Sequence, residues 1–156
     1  MFKPEQLREF IIKPALQDLV MDSIDAEELL LFTCAVESIG GTYLKQVNGP
    51  ALGIYQMEPA THNDIWQNYI NEKSSLTFLM VTNFDCGRMP SEERLIYDLR
   101  YASAMCRLHY ARAKEPLPPA QDVDAIWNYY KTYYNTVDGA ASKIHAIMSY
   151  RAFLKA

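Results

Sequence analysis

One glutamate in the sequence occupies a position that favours an acid with a raised pKa. Glu37 follows the apolar run LLLFTCAV and precedes Ser38 and the pair Gly40-Gly41, which should end a helix. Burial in an apolar environment and the negative end of a helix dipole both disfavour ionisation of a carboxyl group. We therefore expect the pKa of Glu37 to be raised, so that its carboxyl group could donate a proton near neutral pH.

Two further motifs follow Glu37. Glu-Ser-x-Gly at 37–40 is followed by Gly-x-x-Gln-x-x-Pro-Ala-Thr at 53–61 and by Tyr-Asn at 134–135, with Gly139 after it. This order resembles the lytic transglycosylase branch of the lysozyme-like superfamily over about residues 26–150. The resemblance implies a mainly α, lysozyme-like single domain with a catalytic cleft and at most a small β-hairpin.

The resemblance also implies a reaction. Glu37 would protonate the leaving oxygen of the β-1,4 bond between N-acetylmuramic acid and N-acetylglucosamine in peptidoglycan. The same residue would then act as the base while the muramic acid 6-hydroxyl attacks intramolecularly and forms a 1,6-anhydro product. Because the nucleophile belongs to the substrate, one catalytic carboxyl group is enough, and no metal or cofactor is expected.

The remaining motif residues are expected to bind or border the substrate. Gly53 would let the backbone approach a sugar ring, and the Gln56 amide would offer both a donor and an acceptor. Tyr134 could hydrogen bond Glu37 and fix its rotamer. By resemblance, Ser38 and Asn135 also line or support the cleft.

A lysozyme-type hydrolase is a second interpretation. Such enzymes usually add a second carboxylate as nucleophile or to activate water. The carboxylates nearest to the motifs are Glu58, Asp64 and Asp138, and each is more typical of a solvated or capping residue.

A third interpretation is a lysozyme-like structural or interaction module of a virion with little or no activity. The first helix carries the apolar residues Leu7, Phe10 and Ile11 outside the region of resemblance, and they would then form a docking surface.

Length and charge limit the other classes of function. The 156 residues suit one domain, and a net charge of −4 with scattered basic residues argues against nucleic-acid binding. We expect no secretory signal and no membrane span, so the protein would be made in the cytoplasm. It would then reach the bacterial cell wall by another route, such as carriage in a phage particle beside other virion proteins.

Apolar periodicity predicts a chain of helices. Residues 1–25 would form an N-terminal helix or extension, and residues 26–156 would form the lysozyme-like domain as one globular unit. The run LTFLMV within 74–90 predicts a loop or a small hairpin. The expected helices run from Glu5 to about Val20 with a break at Pro14, from a capping box of Asp25 and Glu28 to Gly40, from Pro59 to about Glu72, from Ser91 to about Lys114, from Asp122, and from near Gly139 to Phe153.

Overall fold

The computed structural model describes residues 1–87, 89–135 and 142–156. Within these ranges the chain forms eight helices and no strand, and 63% of it is helical, which confirms the mainly α class. The helices are α1 (4–18), α2 (Ile24–Ser38), α3 (59–70), α4 (Ser74–Phe84), α5 (Arg94–Tyr97), α6 (Leu99–Ala111), α7 (123–135) and α8 (Lys143–Phe153).

Three of these helices contain a π-helical turn, which is wider than an α-helical turn. The turns are Arg8–Ile12 in α1, Trp66–Ile70 in α3 and Lys131–Asn135 in α7. In α1 the π turn comes directly before the segment that contains Pro14. Proline has no N–H to close an α-helical hydrogen bond, so the wider turn allows the helix to continue. The expected break is therefore a change of winding within one helix.

The start of α2 differs from the predicted capping box. Its N-cap is Ser23, whose Oγ accepts a hydrogen bond from the Ala26 N–H at 3.1 Å. Asp25, the predicted N-cap, instead accepts a hydrogen bond from the Ala120 N–H at 2.7 Å. That prediction was wrong because a tertiary contact 95 positions along the chain takes the Asp25 carboxylate.

The predicted loop or hairpin after residue 74 is the helix α4, Ser74–Phe84. Its buried residues are Leu76, Met80 and Phe84, which are spaced four apart as one face of a helix requires. The helical period could not be recognised in the short run LTFLMV, because β-prone residues lie between the buried positions. The only β pairing in the described residues consists of two isolated bridges, Lys45–Leu52 and Leu52–Met57.

The helix predicted from Ser91 to Lys114 is two helices. α5 ends at Tyr97, and Asp98 leaves the helical conformation before α6 begins. The Asp98 carboxylate accepts a hydrogen bond from the Tyr101 N–H at 2.9 Å, and it therefore caps α6. This break contains neither glycine nor proline, so no helix-ending residue marks it in the sequence.

The first helix belongs to the hydrophobic core. Leu7 is only 1% exposed and Ile11 packs against the core, whereas Phe10 is 61% exposed. Of the three apolar residues expected to form a docking surface, Leu7 is therefore buried, Ile11 is only partly exposed and Phe10 is exposed. Trp66 and Trp127 are both buried, as expected for core residues.

Both ends of the chain meet at the turn that follows α2. Gly40 and Gly41 have φ values of 60° and 80°, and a Cβ atom built on them would overlap Phe153 and Phe2, respectively. The Phe2 N–H donates to the Gly40 carbonyl oxygen at 2.8 Å, and the Lys3 ammonium donates to the backbone oxygen of Ala156. The predicted stop at these two glycines is thus confirmed, and the turn also joins α1 to α8.

Candidate active site

Glu37 lies in the last turn of α2 as a partly buried carboxyl group. The Tyr130 hydroxyl donates a hydrogen bond to its Oε1 at 2.6 Å. Asn135 also hydrogen bonds the Glu37 side chain. Desolvation by burial raises the pKa of Glu37 to about 7, and the hydrogen bonds from Tyr130 and Asn135 oppose that rise. The pKa is raised as the sequence predicts, and desolvation is the largest cause.

The tyrosine that holds Glu37 is Tyr130, one turn earlier in α7 than the predicted Tyr134. Tyr134 donates its hydroxyl hydrogen bond to the Tyr55 carbonyl oxygen at 2.8 Å. The rings of Tyr130 and Tyr134 stack with their centroids 6.1 Å apart. Tyr134 therefore supports Tyr130 and anchors α7 to the loop before α3, and its predicted bond to Glu37 was wrong.

The π turn at the end of α7 explains how two of its residues reach the same carboxyl group. In an α-helix, residues five apart point about 140° away from each other. A π turn contains more residues than an α-helical turn, so it brings Asn135 closer to the face of Tyr130. The sequence missed Tyr130 because α-helical spacing would place it about 140° away from Asn135 around the helix.

The groups that face Glu37 are Cys106 and Tyr110 on α6 and Tyr130 and Tyr134 on α7. Burial raises the pKa of each of these four groups above its ordinary value, so all of them are neutral near pH 7. His109 packs edge-on against Tyr134 at 4.8 Å between ring centroids, and burial lowers the pKa of His109 to about 4. Glu37 is therefore the group of this cluster that changes charge near neutral pH.

Ser38 is placed for a structural role. It is fully buried, and its Oγ donates to the Ile54 carbonyl oxygen at 2.6 Å while accepting from the Gly41 N–H at 2.8 Å. These contacts hold the loop 52–57 against the end of α2. Ser38 thus keeps the backbone around Glu37 in place, and its side chain has no exposed surface to offer a ligand.

Gly53 and Gln56 also make internal contacts. Gly53 is buried with φ of 73°, and a Cβ atom there would overlap the Leu95 carbonyl oxygen of α5. The Gly53 backbone therefore approaches α5 closely. The sequence predicted a close approach to a sugar ring instead. The Gln56 Nε2 donates to the Gly53 carbonyl oxygen at 2.8 Å. Gln56 is partly exposed, so its side chain is the more accessible of the two.

The carboxylates weighed as second catalytic groups are engaged elsewhere or exposed. Asp64 is exposed and pairs with Arg112 at 2.6 Å, and Glu58 is exposed at the start of α3. Asp138 and Gly139 lie outside the described residues. Among the residues that are described, no second carboxylate contributes to the pKa of Glu37.

No family model matches the chain, and neither a curated protein nor a solved structure matches it. The function is therefore inferred from the residues around Glu37.

Nowhere in residues 1–87, 89–135 and 142–156 do three or more His, Cys, Asp or Glu side chains come together as a metal site would require. The three cysteines, Cys34, Cys86 and Cys106, are buried and free. Over the same ranges, no helix combines the length and the apolar character needed to cross a membrane.

Proposed function

We propose that the protein is a peptidoglycan lytic transglycosylase with Glu37 as its catalytic acid and base. It would cleave the β-1,4 bond between N-acetylmuramic acid and N-acetylglucosamine and release a 1,6-anhydro product. The observation that carries this proposal is the state of Glu37, a partly buried carboxyl group whose pKa is raised to about 7 and which Tyr130 holds in one orientation.

A pKa near 7 suits a group that must serve first as an acid and then as a base. A substantial fraction of the Glu37 side chains would carry a proton at neutral pH, because the pKa of about 7 lies close to that pH. Glu37 gives this proton to the leaving glycosidic oxygen and afterwards accepts the proton of the 6-hydroxyl group. The efficiency of both transfers is greatest when the pKa of the group lies near the working pH.

The surroundings of Glu37 favour an internal nucleophile over a second carboxylate. Asp64 is paired with Arg112, and Glu58 is exposed at the start of α3. A 6-hydroxyl group that belongs to the substrate needs no such partner, because binding alone brings it close to the anomeric carbon. Among the described residues, the site is thus better suited to transglycosylation than to a hydrolysis with two carboxylates.

The products released from peptidoglycan test this proposal. Purified peptidoglycan is digested with the wild-type protein and with Glu37→Gln, a near-isosteric change that removes the acid, and the soluble muropeptides are identified by mass spectrometry. Glu58→Gln serves as a matched control, because it makes the same change at an exposed position.

We expect anhydromuramyl products from the wild type and from Glu58→Gln, and none from Glu37→Gln. Reducing-end muropeptides would contradict the transglycosylase and indicate a hydrolase. If a folded wild-type protein released no products over a range of pH values, an enzymatic role would be refuted in favour of a structural one.

A further inference from the structure

The ends of the π turn in α7 are joined by a side-chain hydrogen bond. The Lys131 ammonium group donates to Oδ1 of Asn135 at 2.8 Å. An ammonium group can only donate, so the atom that faces it must be the amide oxygen. This contact fixes the orientation of the Asn135 amide.

The orientation of the amide decides what Asn135 offers to Glu37. With Oδ1 directed to Lys131, the NH2 group is the part of the amide left for Glu37 and for the Tyr130 hydroxyl, both of which Asn135 hydrogen bonds. An NH2 group donates to a carboxylate and stabilises its charged form, whereas a flipped amide would present its oxygen and favour the protonated form. The hydrogen bond from Asn135 lowers the pKa of Glu37, as an amide donor should.

We propose that Lys131 is a positioning residue, which holds the Asn135 side chain with its NH2 group toward Glu37. The sequence motifs gave no role to Lys131. Its contribution to catalysis rests on the proposed function of Glu37, whereas its effect on the ionisation of Glu37 does not. Lys131 acts through Asn135 and is not itself a catalytic residue.

The ionisation of Glu37 can be followed without a substrate. Protein labelled with ¹³C-glutamate is titrated by NMR, and the Glu37 signal is assigned as the one that Glu37→Gln removes. The titratable groups that face Glu37, which are Cys106 and Tyr110 on α6 and Tyr130 and Tyr134 on α7, have raised pKa values and stay neutral around pH 7. His109, which packs on Tyr134, has its pKa lowered to about 4 and titrates well below Glu37.

The decisive variants are Lys131→Met and Lys131→Arg. Lys131→Met keeps the aliphatic chain and removes the donor, so we expect the pKa of Glu37 to rise by roughly half a unit or more as the amide loses its fixed orientation. Lys131→Arg keeps a cationic donor and should stay near the wild-type value. Lys155→Met is the matched control, because it removes the same charge at an exposed position.

A double-mutant cycle separates positioning from simple loss of charge. If Lys131 acts through Asn135, then Lys131→Met changes the pKa of Glu37 in the wild-type background and has no effect in an Asn135→Ala background. Equal changes in both backgrounds would overturn the proposal, as would a wild-type pKa in the Lys131→Met variant. Since no step requires turnover, failure to cleave peptidoglycan would refute the enzyme and leave this result standing.

Discussion

The hydroxyl group of Tyr130 lies 2.6 Å from Oε1 of Glu37, and this hydrogen bond joins residues that are 93 positions apart. It brings the C-terminal end of α2 against the last α-helical turn of α7. The carboxyl group is therefore held by two distant segments, and neither segment alone would fix its rotamer.

Replacing Tyr130 by phenylalanine should raise the pKa of Glu37 further. The Tyr130 hydroxyl stabilises the Glu37 carboxylate by donating a hydrogen bond to it, which lowers the pKa. Without this hydrogen bond, desolvation raises the pKa of Glu37 further. We expect an increase of about one unit, because hydrogen bonds to charged groups are the stronger ones. The basic limb of the pH–rate profile and the NMR titration of Glu37 should both move upward. A Tyr133→Phe variant, altered on the same helix, should leave both unchanged.

The ionisation of Glu37 should also make stability depend on pH. Because its pKa is raised above the ordinary value in the folded state, the folded protein binds more protons than the unfolded chain between these two pKa values. Stability from this group is complete below the ordinary pKa and is lost as the pH rises through about 7. The difference between 4.5 and about 7 corresponds to at most roughly 3 kcal/mol.

Urea unfolding at pH 5 and pH 8 measures this effect. Glu37→Gln should be more stable relative to the wild type at pH 8 than at pH 5. His109 has the opposite influence, since its lowered pKa favours the folded state at higher pH, but it is present in both proteins and cancels in the comparison. The same stability difference at both pH values would mean that the pKa of Glu37 is not raised.

Ser38→Ala should destabilise the fold. The Ile54 carbonyl oxygen and the Gly41 N–H both lose their bond to the Ser38 hydroxyl in a buried setting. Unsatisfied buried groups cost about 1–3 kcal/mol each, so we expect a decrease of about 2–3 kcal/mol in the free energy of unfolding. Thr42→Ala removes an exposed hydroxyl that donates to a nearby carbonyl oxygen, and it should cost much less. If Ser38→Ala were as mild, the structural role of this serine would be refuted.

Gly53→Ala tests the contact between the loop before α3 and α5. The added Cβ atom would overlap the Leu95 carbonyl oxygen, and the backbone at Gly53 has a φ of 73° that alanine disfavours. We expect a loss of about 2 kcal/mol or more in urea unfolding. Gly87→Ala is the control, because no atom lies within 4 Å of a Cβ atom built there. Equal effects of the two changes would contradict the assigned contact.

Local patterns predicted the parts of the fold that depend on local chemistry. Asp122 caps α7 by accepting from the Ala125 N–H at 2.9 Å, Pro59 opens α3, and the glycines after Ile39 end α2. Each of these features depends on neighbours within a few residues, which is the range that a sequence displays directly.

The features that the sequence missed depend on partners far along the chain. The Asp25 carboxylate accepts a hydrogen bond from the Ala120 N–H and therefore does not cap α2. Position 53 needs a glycine because a Cβ atom there would overlap the Leu95 carbonyl oxygen. Glu37 could be found because its own helix sets its burial. Tyr130 could not, because a π turn changes the register between it and Asn135.

The turn at Gly40-Gly41 makes the chain suitable for circular permutation. Because Phe2 and Phe153 both pack against it, residues near the two ends are neighbours in space. A short linker could join them, and a circular permutant opened at the exposed Gly87 would keep all of the described helices intact. Such a permutant would also place fusion partners away from the turn that follows Glu37.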